Sequence, residues 1–201
     1  MRSLRGLCGW SRWKAPLLGT RAERVRLISA NAESQAVGYS LGMVDLLRTA
    51  DEHKAVGHLG PDLLDPDWRP AMVADAVDRL NEQPGRAVGE ALLDQTRLAG
   101  IGNVYKAEIL FLRGVNPWTL VRDVSDLHGL VELSHRLLDL NKNRHGHVTT
   151  GDTSRGREHW VYGRAPKPCR RCGTAIKRAP QASNGGQRTT YWCPRCQPAP
   201  G

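Results

Sequence analysis

The apolar rhythm of the chain changes twice along its 201 residues. Between residues 24 and 47, Val25 and Leu27, then Val37, Tyr39 and Leu41, alternate with polar or small residues around the polar stretch Asn31-Ala32-Glu33-Ser34. Period-two alternation with such punctuation predicts two strands joined by a turn. Pro61, Pro66 and Pro70 then fall close together, which predicts a linker. Beyond it the period becomes helical. Met72, Val73, Ala76, Val77 and Leu80 share one face of a helix that Asp67 is placed to cap. Two further helices, separated by Gly100-Ile101-Gly102-Asn103, present Val88, Ala91, Leu92 and Leu98, then Val104, Ala107, Ile109, Leu110 and Phe111. Another spans Ser125 to Asn141 through Leu127, Leu130, Val131, Leu133, Leu137, Leu138 and Leu140. Near the C-terminus, "AIKRA" and "RTTYWC" flank the turn-rich "PQASNGGQ", the pattern of a hairpin. Strands, then helices, then a short hairpin module give an α+β chain.

Charge adds a partner class. The formal net charge is +9, and it is concentrated: from Trp160 to Gly201 there are eight Lys or Arg and no Asp or Glu. A local cationic surface of this kind points to a polyanion. No apolar run reaches the roughly 18 residues of a membrane span, and Arg5, Arg12 and Lys14 break up any signal-peptide core. The expected location is the cytoplasm, with the bacterial nucleoid.

The hairpin module carries the most specific signal. Cys169-x-x-Cys172 and Cys193-x-x-Cys196, separated by twenty residues, have the spacing of a four-thiolate zinc site. Four protein ligands leave no open position, so one zinc ion here is structural. The segment has few large apolar residues of its own, and zinc supplies about 10–16 kcal/mol toward folding in finger peptides. Two disulfides or four unrelated thiols are the competing readings; Cys8 is a buried or idle thiol. Arg188, at or just past the hairpin tip, offers a planar guanidinium fork suited to phosphate.

Glycines at 100 and 102 allow close approach of a ligand to the main chain, and Asn103 then opens a helix whose free N–H groups favour an anion. A helix hairpin with a glycine C-cap and an Asn N-cap explains the same residues equally well.

Taken together, "LLDQTRLAGIGNVYKAEIL", "TTGDTSRGREHWVYGRAPKPCRRCG" and "GGQRTTYWCPRCQ" resemble the formamidopyrimidine-DNA glycosylase/endonuclease VIII family, particularly its endonuclease VIII branch. The resemblance is strong from about residue 85 to 201. It implies a remnant of an N-terminal β-sandwich over 1–60, a helical helix-two-turn-helix DNA-binding domain over 61–150 and a zinc-finger domain over 151–201. It also implies phosphate contacts from Asn103, Gly102 and Arg188, zinc ligation by Cys169, Cys172, Cys193 and Cys196, and double-stranded DNA with damaged bases or abasic sites as partner. Where the β-domain is complete, a monomer is expected.

In that family an N-terminal proline amine attacks the sugar and a following glutamate assists. This sequence opens Met1-Arg2-Ser3 and offers no such pair, so no catalytic residue is assigned. The expectation is a catalytically incomplete form of a bifunctional glycosylase/lyase for oxidised bases. Two alternatives are a non-catalytic protein that recognises abasic or nicked DNA, and a zinc ribbon serving transcription or translation, against which "GIGN" and the helical segment argue.

Overall fold

The computed structural model describes residues 9–12, 24–42, 44–144 and 146–199. Cys8 lies outside them. The chain divides into two compact units, Met1–Ala55 and Val56–Gly201.

The first unit contains a three-stranded antiparallel sheet, ordered β1 (Gly9–Arg12), β3 (Ser34–Tyr39), β2 (Val25–Ala30). The turn between β2 and β3 is set by Asn31, whose Oδ1 accepts from the backbone N–H groups of Glu33 and Ser34 at 2.9 and 2.7 Å. Both strands expected from alternation are present. β1 was not expected: its four residues are too few to show a period, and its pairing with β3 is made at long range.

The short helix α1 (His53–Val56) runs across the division, and the second unit holds α2 (Pro70–Asn81), α3 (Val88–Ala91), α4 (Asn103–Arg113), α5 (Leu127–Asn141) and the hairpin β4 (Lys177–Ser183)–β5 (Gly186–Trp192). α2 starts differently from expectation. Pro70 occupies its first turn after Arg69, with no side-chain cap, because proline's fixed φ suits that position. The proline-rich stretch before it is not a free linker. Leu63 is fully buried, its N–H donates to the carbonyl of Ala99, and the N–H of Ala99 donates to Pro61.

α3 is only one turn long. Asp94 Oδ1 accepts from the N–H and hydroxyl of Thr96, a local turn that competes with helix, yet Leu92 and Leu98 are fully buried as the pattern requires. Asp126 caps α5 by accepting from Gly129 N–H at 2.8 Å. The last of the predicted core leucines, Leu140, is 60% exposed.

α4 is the axis of this unit. Its Tyr105, Ile109 and Leu110 join Leu63, Val73, Leu80, Leu98, Leu130 and Leu138 in the helical core. Ala107 and Phe111 instead pack with Val161, Ile176, Cys169 and Cys193 of the C-terminal module. Every residue from Tyr105 to Phe111 is therefore buried, including Lys106 and Glu108. Helices and cysteine module share one compact unit because α4 serves two cores. No helix among the described residues is long and apolar enough to cross a membrane.

Candidate nucleic-acid interface

The hairpin turns at Asn184-Gly185, and Gly185 has φ +92°. Of the two turn residues only Gly185 takes left-handed backbone, the conformation glycine adopts without steric cost. The register pairs Gln181 with Arg188 and Pro180 with Thr189. Alternation therefore places Gln181, Arg188 and Thr190 on one face of the ribbon. Gln181 and Thr190 are buried on that face, whereas Arg188 is exposed. Among the described residues its side chain makes no hydrogen bond or ion pair.

Four attachments hold the ribbon to the helices. At the tip, Arg86 Nη2 donates to Asn184 Oδ1 at 3.0 Å while its Nη1 bonds Asp94 at 2.7 Å. Burial works to raise the Asp94 pKa, but hydrogen bonds from Thr96 and Arg86 prevail and bring it to about 2. In the middle, Gln181 Nε2 donates to the carbonyl of Pro117 at 2.8 Å, and Lys106 Nζ donates to Thr190 Oγ1 at 2.6 Å. Beside Arg188, Asn103 Nδ2 donates to the carbonyl of Thr189 at 2.8 Å. Arg188 thus projects from a fixed platform.

At the N-terminus of α4 the cap position is Gly102, which has no capping side chain; Asn103 is the first helical residue. The ordinary Asn-cap reading therefore fails, and the Asn103 amide reaches across to β5 instead. Its Oδ1 is buried and has no partner among the described residues. Gly100 has φ +109° and a Cβ there would lie 3.1 Å from Leu138, so the fold itself requires glycine. Gly102 is different. Its φ is −102° and a Cβ would meet nothing within 4 Å. The fold leaves open space before this exposed residue, next to the uncapped helix start.

The four sulfurs of Cys169, Cys172, Cys193 and Cys196 lie within 4.8 Å of one another. Two pairs are separated by 3.4 Å (Cys172–Cys193) and 4.0 Å (Cys169–Cys196), and all four thiols are free, which excludes the disulfide reading. Tetrahedral zinc–thiolate bonds of about 2.3 Å set sulfur separations of about 3.8 Å, so the cluster fits the ion. Hydrogen bonds from Thr174 bring Cys172 down to about 6, while burial and the facing thiols push Cys196 up to about 12. Such a group ionises together only around a cation.

Glu108 fastens the approach to this module. Its Oε1 accepts from the N–H groups of Val161 and Tyr162, and its Oε2 from Trp160 N–H, each at 2.8 Å; the Thr149 hydroxyl also donates to it. The "TTGDT" and "WVYGR" stretches thus meet on one buried carboxylate. Not all eight C-terminal cations form an outer surface. Arg164 donates to the carbonyls of Trp160 and Pro168, Arg170 to those of His159 and Gly156, and Arg171 stacks 4.5 Å over Phe111. Lys167, Lys177, Arg178, Arg188 and Arg195 are exposed, as is Arg171 despite its stacking.

Residues 59–138 match the formamidopyrimidine-DNA glycosylase H2TH domain, and residues 167–199 match the zinc finger found in FPG and IleRS. The "Probable endonuclease 8 2" of Streptomyces coelicolor is 50% identical over 195 residues, covering 94% of this chain and 69% of that protein. The chain belongs to the formamidopyrimidine-DNA glycosylase/endonuclease VIII family. A further member, the "DNA-(apurinic or apyrimidinic site) lyase Nei2" of Mycolicibacterium smegmatis, is 43% identical over 187 residues, 93% of this chain and 71% of the relative. The fold agrees: Lactococcus lactis Fpg, solved in complex with abasic-site DNA, superposes with a TM-score of 0.72 at 23% identity, covering 98% of this chain and 73% of that one. With the zinc-finger match, the four clustered cysteines constitute a zinc site.

For this family member, reading the sequence brought Asn103, Arg188 and the cysteines forward but passed over Lys106, Glu108, Gln181 and Gln197. Gln197 is fully buried; its Oε1 accepts from Cys193 N–H and its Nε2 donates to the carbonyl of Val115. One available signal was α4 itself, whose apolar residues at 104, 105, 107 and 109–112 leave almost no solvent face for Lys106 and Glu108.

Proposed function

We propose that this chain is the DNA-gripping portion of a base-excision-repair protein, holding duplex DNA at an abasic site or oxidised base. Asn103, the open backbone at Gly102 and Arg188 take consecutive backbone phosphates. The observation that carries this is the 2.8 Å bond from Asn103 to Thr189, which joins the uncapped helix start to the strand bearing an exposed arginine. Phosphate contacts fix register without reading bases. Selection of the lesion comes from the lower cost of extruding a nucleotide whose pairing is already lost.

Cys169, Cys172, Cys193 and Cys196 hold a single structural zinc ion, which when bound supplies the charge that lets four thiolates face one another. The residues around it keep the hairpin in place: Gln197 clamps Cys193 to the loop after α4, and Glu108 clamps the loop before Cys169. The working form is cytoplasmic, and monomeric where the β-domain is complete.

Relatives named as lyases and endonucleases support excision and strand cleavage as the activity of the whole protein. Anisotropy titration of the zinc-loaded chain with duplexes that do or do not contain a tetrahydrofuran abasic analogue tests the binding claim. Preference for the abasic duplex is expected; equal or absent binding contradicts it. Borohydride trapping on natural abasic DNA, run in parallel, separates the two forms of the reading: no covalent adduct for a grip alone, an adduct for a chain with its own amine nucleophile.

A further inference from the structure

Lys106 lies three residues after Asn103, one helical turn along α4, and is completely buried. Its ammonium reaches Thr190 Oγ1 at 2.6 Å and Gln181 Oε1 at 3.4 Å. Both acceptors are neutral, and neither strand offers it a carboxylate. Thr190 in turn donates to Gln181 Oε1 at 2.9 Å, so those two side chains satisfy each other without the lysine. A buried cation with no counter-anion in contact is costly to a fold, and mutual satisfaction of its neighbours removes the usual structural excuse.

Its location suggests what it serves. Gln181 is the direct cross-strand partner of Arg188, and Thr190 flanks Thr189, which receives the Asn103 amide. Lys106 therefore holds β5 from beneath at the residues adjoining both phosphate-facing groups, on the ribbon face that Arg188 shares. We propose that Lys106 is a positioning residue and a second, buried cation of the Asn103–Arg188 site, whose counter-charge in the complex is the DNA phosphate itself. This rests on the phosphate-site reading above.

The surroundings support a titrating role. Burial brings the Lys106 pKa down to about 8, opposed by the charge of Glu90 on α3. Its hydrogen bonds to β4 and β5 go to Gln181 and Thr190, and the charged residues of those strands, Lys177, Arg178 and Arg188, are cations. On its own helix, the nearby Glu108 is engaged by Thr149 and residues 160–162. A phosphate arriving above Lys106 favours its protonated form and raises its pKa. By linkage, protonation strengthens DNA binding, so affinity is full below about pH 8 and falls as pH rises through the bound-state pKa.

The zinc-loaded chain is titrated with a tetrahydrofuran-containing duplex at pH 7 and pH 9, alongside Lys106→Met and Arg188→Ala. Wild-type affinity is expected to fall about fivefold more than that of Lys106→Met over this interval, and Lys106→Met to bind about fivefold more weakly at pH 7. Its melting temperature should be unchanged or higher, a split that a merely structural lysine does not give. Calorimetry of the wild type at pH 8, in buffers of different ionisation enthalpy, needs no variant and should show uptake of about 0.3–0.5 proton per duplex. Zero uptake, or a Lys106→Met chain with wild-type affinity and pH profile, overturns the proposal. If Arg188→Ala loses affinity while those results hold, the phosphate site stands and only the role of Lys106 falls. If Arg188→Ala also binds like wild type, both fall.

Discussion

Asn103 and Thr189 are joined across 86 positions of sequence by a side-chain amide donating to a backbone carbonyl at 2.8 Å. The bond sets the first residue of α4 against the strand residue that follows Arg188. It converts two separately unremarkable features, an uncapped helix start and a surface arginine, into one composite anion-facing corner.

Replacing Arg188 with alanine removes one phosphate contact. Binding should weaken on every duplex, and the slope of log affinity against log salt should flatten by about 0.9, the counterion release of a single phosphate. Salt-dependent anisotropy measures it. An unchanged slope takes Arg188 out of the interface.

Glu108→Ala leaves the N–H groups of Trp160, Val161 and Tyr162 without their acceptor in a buried place. An orphaned buried donor costs about 1–3 kcal/mol, so a loss of about 3 kcal/mol or more is expected in urea unfolding. A loss below about 1 kcal/mol would show that the loop is held by other contacts.

How much of this was legible beforehand follows from the range of each interaction. Local signals were readable: the Asn31 turn, the Asn184-Gly185 hairpin, the paired cysteines and the buried faces of α2 and α5 all follow from a few neighbouring residues. The site pair was readable as two candidates, Asn103 and Arg188, but their union was not, since it depends on how β5 crosses α4. The polar residues inside that crossing were missed for the same reason. The nearly all-apolar run of α4 leaves Lys106 and Glu108 little solvent face, but what covers that side, a second core around Ala107 and Phe111, comes from residues far along the chain. The stretch around Leu63 was misread as a linker because its prolines were visible and its pairing with Ala99 was not.

The Asp94–Arg86 pair makes stability depend on acid. The Asp94 carboxyl stands at about 2 in the fold against an ordinary value of 3.8. A depressed carboxylate contributes stability that is complete above the unfolded value and disappears as pH falls through the folded one. Unfolding free energy should drop by about 2 kcal/mol between about pH 4 and pH 2 from this group. Asp94→Asn should lose that component, and an identical acid profile in the variant would contradict the assignment.

Removing zinc should be felt beyond the cysteines. Cys169 and Cys193 share a cluster with Phe111 of α4, and Gln197 ties the second cysteine pair to Val115. With a chelator, amide exchange should accelerate through β4 and β5 while the α2–α5 core stays protected, and DNA binding should disappear until zinc is restored. Full hairpin protection without metal would refute a structural role for the ion.

The most direct measurement is a double-mutant cycle on Asn103 and Arg188, with affinity for a tetrahydrofuran-containing duplex as the readout. If both residues grip DNA from one corner, each alanine variant weakens binding and the double variant departs from additivity by about 1 kcal/mol, roughly fivefold. Wild-type affinity in either single variant, or strict additivity between them, would contradict a shared phosphate site.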